Sequence, residues 1–209
     1  MQMLVQPGDH VIAIHPAYQS LHEVARARGA AVTAWPVLPS DDGAGWRLDL
    51  EALSAAITPR TRLLVFNFPH NPTGHLATRA ELEALIALAR QHDLYLFSDE
   101  MYRGLEYEAA RRLPAVSTLY EKGISLAGLS KTHAVPGLRL GWLATRAPGL
   151  MARWMAYKDY TTICHSAPSE VLGLMALRAQ AQILQRNLDL IGANLVLANA
   201  FFERHAALF

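Results

Sequence analysis

One lysine stands in a stretch that is otherwise apolar and rich in glycine. Lys131 follows Ser130 in the segment SLAGLSKTHAVPGLRLGW, and Arg139 comes a few residues later. An amine that is desolvated at the end of a strand has a lowered pKa and forms a Schiff base with a carbonyl compound. The planar guanidinium of Arg139 suits a phosphate, to which the Ser130 hydroxyl can add a hydrogen bond. Taken singly, each of the three residues is equally compatible with an ordinary surface loop.

Four more residues with useful chemistry lie where strands are expected to end. Asp99 directly follows the predicted strand Tyr95–Ser98, and a buried carboxylate needs a partner such as a protonated aromatic nitrogen. Tyr102 lies on the same side as Asp99 if a helical turn begins there. Asn71, in HNPTG, offers an amide, and Tyr18, in HPAYQS, offers a ring that can stack on a flat heterocycle. Helix capping, a tight turn or core packing would account for each of them alone.

Together these side chains describe a site for a phosphorylated pyridine aldehyde. They offer an amine for the aldehyde, a carboxylate for the ring nitrogen, donors for a ring oxygen, a guanidinium for the phosphate and an aromatic ring for the face. His70 and His133 are interpreted as structural residues or as supports of the ligand-contacting ones, because no metal-ligand spacing accompanies them. No metal is therefore expected.

Short apolar runs alternate with helical patterns, which predicts an α/β fold with βαβ units and a mostly parallel sheet between two helical layers. The predicted strands are Val11–His15, Ala30–Pro36, Arg62–Asn67, Tyr95–Ser98, Ile124–Ala127 and Leu140–Ala144. The predicted helices are Leu21–Arg28, a short one capped by Asp49, Arg79–His92 with a Thr78/Glu81 capping box, one from Ala147, and two within Ser169–Phe202. Because ligands bind beyond the carboxyl ends of parallel strands, NFPHNPTG, SDEMY and GLSK are expected to converge at one edge.

The composition limits the classes of protein that the chain can represent. Its 209 residues are 52% hydrophobic and 18% charged, with a formal net charge of +1. Without a basic run, neither nucleic acid nor an anionic membrane is an expected partner, and no apolar run is long enough for a membrane span. The lone Cys164 excludes an internal disulfide, is expected to pack, and indicates a reducing, cytoplasmic setting.

The segments NFPHNPTG, SDEMY and LSKTHAVPGLRLGW, in this order and spacing, resemble the sequence blocks of the class I and II aminotransferases, which are fold-type I pyridoxal-phosphate enzymes. LVQPGDHVIAIHPAYQS resembles the segment that precedes them, so the resemblance runs through essentially the whole chain. It implies pyridoxal 5'-phosphate as the cofactor, amino-acid and 2-oxo-acid substrates, and a homodimer. It also implies a large-domain core at 1–148 that binds the cofactor, followed at 149–209 by a helical remainder leading to a missing small domain.

The resemblance gives each candidate residue a role. Lys131 would form the internal aldimine and move the Cα proton, and Asp99 would pair with the pyridine nitrogen. The other contacts would hold the cofactor: Asn71 and Tyr102 at the ring hydroxyl oxygen, Tyr18 on the ring face, and Ser130 and Arg139 at the phosphate. The peptide bond before Pro72 is expected to be cis.

The chain also departs from the family pattern. Gly128 stands where members often carry a serine, so one phosphate donor is expected to be lost or supplied elsewhere. The family's phosphate loop and N-terminal arm would precede Met1, and its carboxylate-binding arginine would follow Phe209. Other interpretations stay open: β-elimination, cyclisation or decarboxylation at the same site, an inactive truncated chain, or the sensing domain of a transcription regulator.

Overall fold

Buried apolar runs form the strands of one sheet, and the segments between them form helices. The computed structural model describes residues 1–43 and 45–208. The strands are β1 (His10–His15), β2 (Ala31–Pro39), β3 (Trp46–Leu48), β4 (Thr61–Asn67), β5 (Tyr95–Asp99), β6 (Gly123–Gly128) and β7 (Gly141–Thr145). The helices are α1 (Ser20–Ala27), α2 (Leu50–Ala55), α3 (Arg79–Gln91), α4 (Val116–Leu119), α5 (Leu150–Thr161), α6 (Ala167–Arg178) and α7 (Gln180–Arg204), with 3-10 turns at Ala109–Arg111 and Pro136–Leu138.

The sheet has the strand order β3-β2-β1-β4-β5-β6-β7. The five strands from β2 to β6 in this order are parallel, and β3 and β7 are antiparallel strands at the two edges. The chain builds outward from β1 in one direction and then from β4 in the other. The order therefore reverses between β1 and β4, which is where an open α/β sheet forms its ligand crevice.

Alternate side chains of each central strand enter two separate apolar cores. Ile12 and Ile14 of β1 pack in the core that α2 and α3 cover, whereas Val11 and Ala13 pack in the core under α1 and the start of α5. A strand that is buried on both faces reads as a continuous apolar run, as β1 and β4 do. The predicted three-layer α/β/α architecture with a mostly parallel sheet is confirmed.

The helix-capping predictions are also confirmed. The Thr78 hydroxyl accepts a hydrogen bond from the Glu81 amide (3.2 Å), and the Glu81 carboxylate accepts one from the Thr78 amide (2.7 Å). Asp49 caps α2 by accepting from the Ala52 amide at 2.8 Å. These interactions are local, so the sequence alone is enough to predict them.

Four features differ from the expectations, and one of them is the short helix α4, which the sequence analysis does not predict. The sequence pattern does not reveal β3, because only Leu48 of its three residues is buried. The last part of the chain becomes helical at Leu150 rather than at Ala147, since Gly149 has a left-handed backbone with φ 70°. Cys164 does not pack in a core but is exposed in the loop after α5. The division of the chain at 148/149 stays a prediction.

In the described parts of the chain, no helix is long and apolar enough to cross a membrane. The same residues contain no cluster of three or more His, Cys, Asp or Glu side chains arranged to hold a metal ion.

The C-terminal helices expose an unusual number of large apolar side chains. On α6, Val171 and Met175 are 61% and 60% exposed, and on α7, Val196 and Leu197 are 69% and 70% exposed. Large apolar side chains that are exposed in this number are typical of a surface that another protein segment covers.

We expect the 209-residue chain to self-associate through these helices. Val171→Glu and Val196→Glu should each lower the mean mass in sedimentation velocity, because a charge opposes burial of the surface. Gln182→Glu, at an exposed polar position near the start of α7, is the matched control and should change nothing. A wild-type chain that sediments as a monomer at micromolar concentration would contradict the expectation.

Candidate active site

Three strand ends converge at one edge of the sheet, as the motifs predict. Asn67 ends β4 and Asp99 ends β5, and the two residues are paired in register. The Asn67 amide donates to the Asp99 carbonyl oxygen (2.8 Å), while the Asn67 side-chain oxygen accepts from the Asn71 amide (2.8 Å). The Glu100 amide donates to the Leu126 carbonyl of β6 at 2.8 Å. The NPTG and SDEMY segments and the end of β6 are thus joined by hydrogen bonds.

Asp99 is a buried acid at this edge. Its residue surface is only 7% exposed, and its Oδ1 accepts a hydrogen bond from the Met101 amide at 3.1 Å. Burial raises the pKa of its carboxyl group from 3.8 to about 6, an effect that the Met101 amide and the Lys131 charge partly oppose. Asp99 and Lys131 are therefore close enough to interact electrostatically.

The loop that carries Lys131 is tied to the turn after Asp99. The Thr132 hydroxyl donates to the Met101 carbonyl oxygen at 2.8 Å, and the Ala134 amide donates to the Lys131 carbonyl oxygen at 3.0 Å. Thr132 is buried, whereas Lys131 is exposed. The described residues hold the lysine at the predicted edge but do not supply the desolvated pocket that its chemistry led us to expect.

Asn71 and Tyr102 face one cavity. Both residues are half-buried, and both line an opening of about 880 Å³ between the NPTG loop and the loop after β5. Asp99 and Lys131 do not line this cavity, so it brings Asn71 and Tyr102 together without joining them to the acid and the lysine. The Asn71–Pro72 peptide bond is cis, as the resemblance implies, and so are His15–Pro16 and Phe68–Pro69.

The remaining candidates are less closely assembled. Tyr18 is 65% exposed in the loop after β1, so it is not a core tyrosine. Ser130 is half-buried beside Lys131. Arg139 has a left-handed backbone (φ 54°), and its guanidinium donates to the Pro136 carbonyl oxygen at 2.9 Å rather than to a side chain of the site.

Some supporting residues were not singled out by the sequence patterns. Glu100 is 6% exposed and accepts from the Val116 amide (2.9 Å) and the Ser125 hydroxyl (2.7 Å). Together with Asn67 and Thr132, it holds the strand ends and their loops in place. The available signal was a polar residue at the end of a buried strand, which is unusual but does not identify its partner. His70 and His133, predicted to be structural or supporting, are both buried.

Comparison with known proteins identifies the family of the chain that carries this site. Residues 1–198 match the sequence profile of the family described as aminotransferase class I and II. The chain belongs to this family. The sequence resemblance is thereby confirmed, and so is the α/β large-domain fold that it implies.

Three relatives of this aminotransferase-family chain illustrate the similarity. A probable N-succinyldiaminopimelate aminotransferase of Mycobacterium tuberculosis is 36% identical over 83% of this chain and 44% of that protein. An arginine–pyruvate transaminase of Pseudomonas aeruginosa is 40% identical over 68% of this chain and 36% of that protein. The crystal structure of a PLP-dependent aminotransferase from Streptococcus suis matches with a TM-score of 0.88 at 35% identity, over 97% of this chain and 52% of that one. The chain thus spans about half the length of the relatives it matches.

In this chain of the aminotransferase family, the packing of β7 explains the glycine at position 128. It pairs with Gly141 across the antiparallel β6–β7 ladder. A Cβ atom at Gly128 would lie 3.0 Å from the Leu140 carbonyl oxygen and 3.1 Å from the Gly141 Cα, both backbone atoms that cannot rotate away. The close approach of β7 therefore disfavours a serine at this position.

We expect Gly128→Ser to lower the free energy of unfolding by about 1–3 kcal/mol, because overpacking forces backbone shifts. Urea denaturation measures the change. Gly137→Ala, in the 3-10 turn between β6 and β7 and with open space where the added methyl group would lie, is the control and should stay within about 0.5 kcal/mol of wild type. Equal effects of the two substitutions would contradict this explanation of Gly128.

We also expect the burial of Asp99 to make the cofactor-free protein less stable as the pH rises. The folded state holds the Asp99 proton more tightly, with a pKa near 6 against 3.8, so the contribution to stability is full below about pH 4 and is lost as the pH passes 6. Asp99→Asn should remove this loss, which amounts to about 3 kcal/mol at most.

Urea titrations between pH 4.5 and pH 8 test this. The free energy of unfolding of Asp99→Asn should rise relative to that of wild type as the pH increases. Glu83→Gln, on the exposed face of α3, is the control and should follow the wild-type profile. Parallel profiles for Asp99→Asn and wild type would contradict the prediction.

Proposed function

We propose that this chain carries the cofactor site of a pyridoxal-phosphate-dependent aminotransferase, which moves an amino group between an amino acid and a 2-oxo acid. The observation that carries the proposal is the placement of two residues on adjoining strands: the buried Asp99 ends β5, and Lys131 lies in the loop after β6, where its charge acts on the Asp99 carboxyl. The relatives are named as aminotransferases or transaminases, which supports amino transfer over elimination, cyclisation or decarboxylation.

The residues fit the cofactor in their chemistry. In the described structure, Asp99 accepts one backbone hydrogen bond and has a raised pKa, so its carboxylate is not yet fully compensated. A protonated pyridine nitrogen is the partner that would hold Asp99 in its charged form. Pyridoxal phosphate, when bound, supplies an aldehyde for amine attachment and a ring that withdraws electrons from the substrate Cα.

Lys131 and Asp99 divide the proton chemistry. The Nζ atom of Lys131 would offer the amine that anchors the aldehyde. Once free, it would take the proton from the substrate Cα as general base and deliver it, as general acid, to the carbon that came from the aldehyde. The negative charge of Asp99 would keep a proton on the ring nitrogen of the bound cofactor. The Thr132 hydroxyl donates to the Met101 carbonyl oxygen, and this bond ties the loop of Lys131 to the turn after Asp99.

The other candidate residues would bind the cofactor and orient its ring. The amide of Asn71 and the hydroxyl of Tyr102 would donate to the ring oxygen from their shared cavity. The exposed ring of Tyr18 would stack on the pyridine face, and Ser130 with Arg139 would bind the phosphate. Arg139 donates from one guanidinium nitrogen to the Pro136 carbonyl oxygen, and its other N–H groups would be the donors to the phosphate.

The lysines of the chain allow a direct test. They are Lys122, Lys131 and Lys158. Wild type incubated with pyridoxal phosphate should develop a visible absorption band, and borohydride reduction should leave one added pyridoxyl-phosphate mass on the peptide that contains Lys131. Lys131→Ala should lose both signals, because the attached amine is gone.

Lys122→Ala and Lys158→Ala are matched controls. Lys122 pairs with Asp93, and Lys158 donates to the carbonyl oxygens at the end of α5, so both lie outside the site and should keep the band. A normal band in Lys131→Ala, or label on Lys122 or Lys158 instead, would refute the assigned role.

We further propose a homodimeric assembly and a cytoplasmic location. The exposed apolar side chains of α6 and α7 support association, and a second subunit could supply the cover that Lys131 lacks here. The single cysteine supports a reducing compartment. We also propose that 1–148 forms the cofactor-binding core and 149–209 the helical remainder.

A further inference from the structure

One buried histidine joins two loops that carry proposed cofactor contacts. Tyr18 follows β1 and Asn71 follows β4, and these neighbouring strands flank the point where the strand order reverses. His70 precedes Asn71, and its Nε2 lies 2.8 Å from the Pro16 carbonyl oxygen in the Tyr18 loop. The His70 side chain thus connects the two sides of the crevice.

The surroundings of His70 determine the orientation of its ring. A carbonyl oxygen only accepts, so Nε2 must carry the hydrogen that binds Pro16. Nδ1 lies 2.7 Å from the Thr73 hydroxyl, which donates to it while accepting from the His75 amide at 3.2 Å. The residue is 3% exposed, and this burial lowers the pKa of its imidazole, which favours the neutral form that these bonds require.

The loop of Tyr18 has few other restraints. Tyr18 as a residue is 65% exposed, so packing does not hold its ring. Ala17 packs against both apolar cores, and the Tyr18 carbonyl accepts from the Leu21 amide at 2.9 Å, where α1 begins. These contacts tie the loop to its own strand and helix, whereas the bond from His70 ties it to the Asn71 side.

We propose that His70 is a positioning residue that sets the place of the Tyr18 ring relative to Asn71 by holding the Pro16 carbonyl. It thereby determines the slot that receives a planar, pyridine-type cofactor between a stacking ring and a donor to the ring oxygen. The identity of that cofactor rests on the proposed function, but the tether belongs to the cofactor-free chain.

Three substitutions separate the hydrogen bond from the ring. His70→Gln places an amide nitrogen near the Nε2 position and retains a donor for Pro16. His70→Asn has an amide that reaches only the Nδ1 position, and His70→Phe keeps the ring shape without polar atoms. His10→Phe is the matched control, because His10 is also buried and hydrogen-bonded, to Thr61 and Thr33, but lies at the start of β1, at the opposite edge of the sheet.

The first measurement needs no cofactor. Hydrogen–deuterium exchange of the peptide spanning residues 14–21 should be at least about threefold faster in His70→Phe and His70→Asn than in wild type, because local opening becomes easier. His70→Gln should restore slow exchange, and His10→Phe should leave this peptide unchanged. Unchanged exchange in His70→Phe, or no rescue by Gln, would overturn the tether.

The second measurement is a double-mutant cycle on the dissociation constant of pyridoxal phosphate in the full 209-residue chain. His70→Phe should weaken binding about tenfold when Tyr18 is present and less than about twofold in a Tyr18→Ala background, since coupled residues are not additive. Equal losses in both backgrounds would overturn the positioning role.

The outcomes keep this inference apart from the proposed function. If wild type forms no Lys131-dependent complex with pyridoxal phosphate, the proposed function fails and the role of His70 toward that cofactor fails with it, even if the exchange data support the tether. If the complex forms while the cycle is additive, the proposed function stands and His70 does not position Tyr18.

Discussion

The buried carboxylate of Asp99 is the constraint around which the site is organised. A negative charge that is removed from water is costly unless positive charge or hydrogen-bond donors surround it. Here burial outweighs the Met101 amide and the charge of Lys131, so the pKa of Asp99 is raised. The fold places this incompletely compensated acid at the end of β5, between the β4 and β6 loops that bring Asn71 and Lys131 to it. Asp99 therefore lies where a cationic ring nitrogen could reach it, and such a cation would stabilise its charged form.

The loops around Asp99 are held from behind by residues that would not touch a ligand. Asn67 links the ends of β4 and β5 to the NPTG loop, Thr132 links the lysine loop to the turn after Asp99, and His70 links the NPTG loop to the segment after β1. Each contact joins a side chain to the backbone of another loop. Such contacts allow exposed residues like Lys131 and Tyr18 to sit on a rigid frame, which is how loops on an α/β sheet carry function.

The sequence predicted the fold more closely than the details of the site. The apolar runs of β1 and β4, the Thr78/Glu81 capping box and the convergence of the three motifs depend on local patterns and on the general geometry of parallel sheets. The sequence analysis missed the edge strand β3, because three residues with one buried side chain show no clear hydrophobic alternation. It also missed the exposure of Cys164, because one residue forms no pattern from which burial can be predicted. The exposure of Lys131 was missed since desolvation depends on residues distant in the chain.

By itself, the sequence determined which chemical groups are present and in which order the motifs follow one another, and hence the family. These properties depend only on residue types and their spacing. The tertiary structure alone decided which groups meet. It paired Asn67 with Asp99, placed β7 so close to Gly128 that an added Cβ atom would be crowded, and joined His70 to Pro16 across more than fifty residues of chain. These contacts arise from strand register and loop packing between segments far apart in sequence, which no local pattern encodes.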